Sequence, residues 1–230
     1  MQELDIFIKG ETIDLCIPTR EFAKGSNWYK WFNNPKITKY LEQGFFPNTV
    51  DKQENFFVSQ KNDRMILIIS NKSKYLGVVS LSKINLIKKT CDLAIVVDSS
   101  MDKRGSPYIS LEAIALITVH AFEVIGINRI SAGQHKGLEG WAQRMGLLGY
   151  IVEGIHTNKY IKARDICDSI TIACVYETYK KIIKQRGSLW DSKEKFKQRY
   201  KNMPKETFTK ELENFFRIER TKYYDNLFNL

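Results

Sequence analysis

The sequence predicts an α/β (α+β) fold in which a mixed, mostly antiparallel central sheet is flanked by helices. Three strand-like runs, at 65–70, 75–84 and 90–98, follow one another with only short polar turns between them, and such a meander pairs antiparallel. A helical pattern over 107–125 then leads to a further strand at 128–135. Because a crossover connection returns the chain parallel to the preceding strand, parallel pairing is expected to enter the sheet there.

The composition divides the chain into two parts. With 230 residues, of which 43% are hydrophobic, the chain can bury a core of its own. Its formal net charge is +10, and residues 177–230 contain 14 basic and 8 acidic residues, so more than half of the surplus lies there. We therefore expect a domain at 1–176 followed by a basic, helical C-terminal extension at 177–230.

The composition also disfavours several classes of protein. No apolar run is long enough to span a membrane, and the first residues lack the core of a signal peptide, so a cytoplasmic protein is expected. Cys16, Cys91, Cys167 and Cys174 lie in apolar, strand-like runs without a C-x-x-C pair. They are predicted to be buried free thiols, with no disulfide framework and no metal site.

The helices and strands before the meander are predicted from hydrophobic periodicity and from the residues that end them. We predict a hairpin with strands at 4–8 and 11–18, and helices at 21–32, 36–41 and 51–62. Between the second and third helices lies a loop, 42–49, that contains Phe45, Phe46, a glycine and a proline. This loop either borders a cavity or folds its two phenylalanines into the core.

The elements after residue 135 are read in the same way. A short helix at 138–145, a strand at 147–154, a polar connection at 155–164, a strand at 166–176 and helices at 177–186, 192–201 and 205–230 are expected. The last helix carries a broken apolar stripe, which packs on its own domain, on a second copy of the chain or beside a substrate.

The start of the long helix is well marked. Ser106 is a good N-cap residue, and Pro107 occupies the first helical position, where its missing N–H has no cost. Free N–H groups and the positive end of the helix dipole would meet there, which favours an anion such as pyrophosphate. A plain connection between strand and helix is the alternative.

The order of these motifs resembles a known family. A strand is followed by an R-G-x-x-Y turn, a helix ending in A-F-E, a strand with N-R-I-x-A, a short helix and G-Y-x-x-E-G. Over Glu11 to Tyr176 this order resembles the GNAT superfamily of acyl-CoA-dependent N-acyltransferases. The resemblance is to the branch with ribosomal-protein N-terminal acetyltransferases and nucleotide-amino-sugar N-acyltransferases.

The resemblance implies where an acyl-CoA would bind. The pantetheine arm would pair with the backbone of Ile95, Val96 and Val97, where a bulge would free an N–H for the oxyanion. The pyrophosphate would bind in the turn, at these residues: Arg104, Gly105, Ser106 and Tyr108. Acetyl-CoA or another acyl-CoA is the expected co-substrate, without a metal.

The turn also departs from the family pattern. Pro107 stands in place of a glycine, and Ile109 stands in place of a small residue. Either the phosphates bind slightly displaced on later N–H groups, or the site does not accept coenzyme A.

Three residues are candidates for the base that deprotonates the amine. Asp92 begins the motif strand, His135 ends the next strand with a side chain suited to proton transfer near neutral pH, and Glu139 follows it. Each has a structural alternative: a backbone hydrogen bond for Asp92, a helix cap for His135, and a solvated position for Glu139. No general acid is identified.

The expected acceptor is a UDP- or dTDP-linked amino sugar of bacterial surface-polysaccharide synthesis, attacked directly in a ternary complex. Phosphates suit the basic chain, and Phe45, Phe46 and Tyr160 are candidates to contact the acceptor. The alternatives are the N-terminal amine of a ribosomal protein, which is usually basic and would be repelled, and a non-catalytic scaffold. A nucleic acid is not expected as partner, because basic and acidic residues alternate in the extension; a homodimer is possible.

Overall fold

The computed structural model describes residues 3–60, 62–71, 73–98, 106–162 and 164–230, with only the backbone of Ser106. The strands are β1 (Ile6–Lys9), β2 (Asp14–Cys16), β3 (Met65–Ser70), β4 (Tyr75–Asn85), β5 (Thr90–Val97), β6 (Arg129–His135), β7 (Ile151–Lys162) and β8 (Asp165–Val175). The helices are α1 (Arg20–Gly25), α2 (Trp28–Trp31), α3 (Pro35–Thr38), α4 (Val50–Val58), α5 (Ser106–Glu123), α6 (Glu139–Met145), α7 (Tyr176–Arg186), α8 (Lys193–Lys201), α9 (Phe208–Phe215) and α10 (Thr221–Phe228).

The strands form one sheet of eight in the order β1-β2-β3-β4-β5-β6-β8-β7. β5 and β6 are parallel, because α5 carries the chain back across the sheet, and the other neighbouring pairs are antiparallel. The mixed, mostly antiparallel sheet flanked by helices is therefore confirmed.

Each face of the sheet is covered by its own apolar cluster. The larger cluster packs α5, α6 and α7 on one face, and alternate β5 residues such as Leu93 belong to it. The smaller cluster joins α1 and α2 to the other face through Trp28, Trp31 and Val78. Because side chains alternate along a strand, Ala94 and Val96 lie on this second face. The short helices begin at polar caps: the hydroxyl of Thr49, for example, accepts the N–H of Lys52 at 3.2 Å.

The segment 155–164 was predicted to be a polar connection, and that prediction is wrong. β7 begins at Ile151, later than the predicted strand, and extends to Lys162. Its outer part pairs with β8 as far as Lys162 and Asp165. The backbone groups are thus satisfied by the hairpin while most side chains there remain exposed, so the stretch can be polar and still be a strand.

The extension after residue 176 does not stand apart from the domain. Tyr179 and Ile182 of α7, Leu189 of the connection between α7 and α8, and Phe196 of α8 are buried in the larger cluster. Lys136 forms a 2.6 Å ion pair with Glu213, which ties α9 to the domain. By contrast, residues 221–230 are all exposed. No helix among the described residues is long and apolar enough to cross a membrane.

A buried carboxylate holds the β1–β2 turn against α5. Glu112 is fully buried and accepts the N–H groups of Glu11 at 2.5 Å and Thr12 at 2.9 Å, together with the Thr12 hydroxyl. Glu11 in turn accepts the indole N–H of Trp190 at 2.8 Å, so the turn also joins the extension.

Replacing Glu112 by alanine leaves these buried donors without an acceptor. We expect it to lower the free energy of unfolding by roughly 3 kcal/mol, since hydrogen bonds to charged groups contribute more than neutral ones. Urea denaturation checks this. Glu177→Ala is the control, because its pair with Lys181 is exposed and 3.9 Å long, and a change of less than about 0.5 kcal/mol is expected. Equal effects of the two substitutions would contradict the assigned role.

Candidate functional site

A cleft opens in the sheet between the two parallel strands. β5 and β6 pair only through Thr90, Cys91 and Asp92, opposite Arg129 to Ser131. Beyond Asp92 the strands separate, while β5 remains paired with β4 as far as Val97. The β6-facing edge of Ile95, Val96 and Val97 therefore has no strand partner among the described residues, and a ligand with amide groups could pair with it as a strand would.

A cavity of about 570 Å³ lies against the same strand. Its floor is formed by β3, β4 and β5 residues, including Ser80, Ala94 and Val96, and Ile95 also lines it. Its walls come from α2, α4 and the segment 41–48. Its volume suits a small-molecule ligand of ordinary size. The cavity and the cleft thus share Ile95 and Val96.

The segment 41–48 borders this cavity. Phe45 and Phe46 both line it, and their exposed fractions are 53% and 80%. Of the two interpretations of this loop, the one that places the phenylalanines in the core is therefore wrong. Two aromatic rings this exposed offer stacking surface to a ligand.

The loop is held from across the sheet by β7. The Tyr160 hydroxyl donates to the carbonyl of Leu41 at 2.6 Å. Lys162 donates to the carbonyls of Leu41 at 3.1 Å and Gln43 at 2.9 Å, and also to that of Thr38. Its ammonium lies 5.7 Å from the centre of the Phe45 ring. Tyr160 is buried and does not line the cavity, so the structure shows it positioning the loop; direct contact with an acceptor stays a prediction.

Lys162 was not identified from the sequence, because its partners lie about 120 residues away. Replacing it by methionine removes three hydrogen bonds that hold the loop. For the acyl-CoA and the acceptor that the sequence resemblance implies, we expect the KM of the acceptor to rise about tenfold, with a smaller change in the KM of the acyl-CoA, because the cleft between β5 and β6 is formed by other strands. Lys159→Met, at an exposed position of the same strand, is the control. Equal KM changes for both substrates would contradict this.

The charged side chains at the cavity have both signs. Lys52, Arg64 and Glu42 all line it. Lys52 donates to the carbonyl of Pro47 at 3.1 Å, and the Arg64 guanidinium lies 5.7 Å from the centre of the Phe56 ring. Two cations and several aromatic rings line the same cavity, and this lining suits a ring that carries phosphate groups.

His135 ends β6 between two aromatic rings. Its ring centre is 4.5 Å from that of Tyr160 and 5.0 Å from that of Tyr40. Its Nδ1 accepts the N–H of Gly137 at 2.9 Å, so the cap predicted as its alternative role is present. Burial and then the charge of Lys39 lower the pKa of His135, while Asp165 raises it. A neutral ring bonded in this way carries its proton on Nε2, where it donates and does not accept.

The other two candidate bases have ion-pair partners. Asp92 forms an ion pair with Lys83 at 2.8 Å. It lies two residues before Ala94, which is part of the cavity floor. Glu139 lies 3.8 Å from Lys210 of α9. None of the three is among the described residues that line the cavity, and the structure does not bring them together at one point. Their catalytic roles stay predictions, with Asp92 nearest to the floor.

The predicted pyrophosphate turn falls largely on residues that the structure does not describe. Arg104 and Gly105 lie outside the described residues, and of Ser106 only the backbone is described, as the first residue of α5. Tyr108 and Ile109 pack against the larger cluster. The bulge expected near Ile95 or Val96 is not present, because β4 and β5 pair without a shift there; the shift lies between Ser82 and Asn85.

The four cysteines are free, as predicted; Cys16, Cys91 and Cys174 are buried, whereas Cys167 is partly exposed. Burial raises the pKa of the Cys91 and Cys174 thiols to about 12, so neither is an activated nucleophile. No cluster of His, Cys, Asp or Glu within the described ranges could hold a metal ion.

Comparison with known proteins adds the family. A family model described as an acetyltransferase (GNAT) domain matches residues 21–143. The solved structure of the microcin C7 self-immunity acetyltransferase MccE, in complex with acetyl-CoA and AMP, is 21% identical in sequence, with a TM-score of 0.59 over 72% of this chain and 93% of that chain. Spermidine N-acetyltransferase from Vibrio cholerae, in complex with CoA and spermine, is 15% identical, with a TM-score of 0.63 over 74% and 98%. The search of curated protein sequences returned no match.

Proposed function

Because this chain belongs to the acetyltransferase (GNAT) family, we propose that it transfers an acetyl group from acetyl-CoA to the amine of a nucleotide-linked amino sugar. An acyl-CoA supplies the activated thioester, and the acceptor supplies a neutral amine. The reaction would belong to the synthesis of a bacterial surface polysaccharide in the cytoplasm. A longer or hydroxylated acyl group remains compatible with this proposal.

The main support for the proposal is that the cleft and the cavity lie on the same strand, β5. The cleft beyond Asp92 and the cavity of about 570 Å³ meet at Ile95 and Val96 of β5. The edge of β5 that has no strand partner among the described residues fits an amide-containing pantetheine arm. The cavity on the face covered by α2 and α4 can hold a second substrate. Two substrates bound in this way could react directly in a ternary complex, because their reacting groups would meet at one strand.

In this proposal the chain mainly positions the substrates and moves one proton. The neutral amine nitrogen attacks the thioester carbonyl, a C–N bond forms and the C–S bond breaks; the acylated nitrogen releases one N–H proton to solvent, and the departing thiolate takes one from solvent. The amine must lose its proton before the attack. Asp92 is the candidate base nearest to the cavity floor, and its ion pair with Lys83 would have to open for it to act.

The lining of the cavity favours a nucleotide over the other acceptors. Phe45, Phe46 and Phe56 offer faces for a base, and Lys52 and Arg64 offer charge to phosphates. That MccE was solved with AMP gives a further reason to expect a nucleotide. A polyamine such as the spermine of the other complex, or the basic N-terminus of a ribosomal protein, would meet two cations and one acidic side chain, Glu42, among the described residues of the lining.

The test is an acetylation assay that follows thiol release with acetyl-CoA and a panel of amines. The panel contains UDP- and dTDP-linked amino sugars, spermidine and a basic peptide with a free N-terminus. We expect turnover with at least one nucleotide sugar and a mass gain of one acetyl group on its amine. Turnover with spermidine or the peptide alone would overturn the acceptor assignment, while no turnover with any amine would favour the non-catalytic scaffold.

A further inference from the structure

Two buried hydrogen-bond donors without partners lie in the wall of the acceptor cavity. In the part of the chain that the structure describes, Trp28 Nε1 and Gln53 Nε2 are buried and have no acceptor. The two residues are 1% and 2% exposed, and both line the cavity. Leaving a buried donor unpaired is energetically costly, so two such donors at one cavity indicate an acceptor that arrives with the ligand.

The orientation of the Gln53 amide is fixed by its neighbour. Gln53 Oε1 accepts Asn48 Nδ2 at 2.9 Å, and the same Nδ2 lies 3.5 Å from the carbonyl of Tyr29. Reversing the Asn48 amide would place its oxygen against the Tyr29 carbonyl oxygen. The Asn48 amide therefore donates, the Gln53 oxygen accepts, and the Gln53 nitrogen remains as the free donor.

The residues around these two donors indicate which kind of ligand fits the cavity. Phe32 and Phe56 provide aromatic surface, which suits a flat ring. Both free groups are donors, so the ring must carry an acceptor. Both nitrogens are buried although their residues line the cavity, so side-chain rotation has to accompany binding.

We propose that Trp28 Nε1 and Gln53 Nε2 bind a ring carbonyl oxygen of a pyrimidine base and so select uracil or thymine over cytosine. This inference rests on the proposed nucleotide-linked acceptor and adds which two side chains select its base. Uracil and thymine have a carbonyl at C4, whereas cytosine has an amino group there, which donates and would face two donors. With cytosine bound, the two buried N–H donors would remain without an acceptor and would also be repelled by the N–H groups of the base.

The experiment measures the binding of UDP, dTDP and CDP by titration calorimetry. We expect the wild-type chain to bind UDP and dTDP at least about tenfold more tightly than CDP, which corresponds to about 1.4 kcal/mol. Trp28→Phe keeps a ring and removes the N–H, and should reduce this preference. Gln53→Glu keeps the acceptor for Asn48 and turns the free donor into an acceptor, so it should invert the preference towards CDP.

Gln60→Glu is the matched control, because Gln60 lies two turns further along the chain from Gln53 and does not line the cavity. Thermal unfolding of each variant shows that it is folded. Equal binding of UDP and CDP, unchanged in Gln53→Glu, would overturn this inference alone and leave the nucleotide acceptor standing. Failure of all three nucleotides to bind, with acetylation of another amine intact, would overturn both this inference and the nucleotide part of the proposed function.

Discussion

Replacing Gly77 by alanine is expected to destroy activity and to destabilise the fold. Gly77 lies in β4 opposite Val97, and an added Cβ would come within 2.2 Å of the Val96 carbonyl oxygen and 2.8 Å of Val97 Cα. Both atoms belong to the backbone of β5 and cannot rotate away. β5 must therefore move, and it is the strand that the cleft and the cavity share.

We expect Gly77→Ala to lower the free energy of unfolding by about 3 kcal/mol, near the upper end for overpacking. The kcat/KM for acetyl transfer should fall more than ~100-fold, because a displacement of about 1 Å at the reacting groups can cost that much. Urea denaturation and the thiol-release assay measure the two effects.

The control for this substitution lies two strands away. Gly133 in β6 would place a Cβ 3.7 Å from the Ser169 hydroxyl oxygen, which is an ordinary contact. Gly133→Ala should therefore remain within about 1 kcal/mol of the wild-type stability, since the strand loses a flexible glycine without a clash. A Gly77→Ala enzyme with wild-type kinetics would show that the position of β5 does not control the reaction.

Filling the cavity floor is expected to remove activity without loss of stability. Ala94 is exposed on β5 and forms part of the floor, next to Ser80 of β4. Ala94→Leu adds bulk where the acceptor amine must approach the strand. We expect kcat/KM for the acceptor to fall at least ~100-fold, equivalent to about 2.7 kcal/mol of transition-state stabilisation.

Two further measurements separate blockage from misfolding. The melting temperature of Ala94→Leu should match the wild type, and acetyl-CoA should still raise it, because the backbone edge of β5 is unchanged. Thr90→Leu makes a comparable change on the same side of the strand but outside the cavity, and should retain activity. Full activity of Ala94→Leu would mean that the acceptor binds elsewhere.

The fold was predictable from the sequence because its strongest signals are local. The meander of β3, β4 and β5 has short turns, and the Ser106-Pro107 pair marks the start of α5 within one residue of its predicted position. The outer part of β7 was missed because both faces of the hairpin are largely exposed, so its residues show no alternation of polar and apolar side chains.

The site was only partly predictable, because its contacts join distant parts of the chain. Phe45 and Phe46 could be placed at a cavity from their loop, whereas Lys162 reaches that loop across about 120 residues. Gln53 was missed because a glutamine is rarely buried, although it lies on the α4 face that carries Phe56 and Phe57 at helical spacing. The roles predicted for Asp92, His135 and Glu139 depend on a bound amine, which sequence patterns do not locate.

In the proposed reaction, an acceptor amine bound in the cavity reacts with acetyl-CoA at β5. The most direct test is the acetylation of a UDP- or dTDP-linked amino sugar by the wild-type chain and by Ala94→Leu, measured in parallel by the mass of the product. We expect an acetylated sugar from the wild type and at least ~100-fold less from the folded variant. Equal product from both chains, or acetylation of the other amines only, would contradict it.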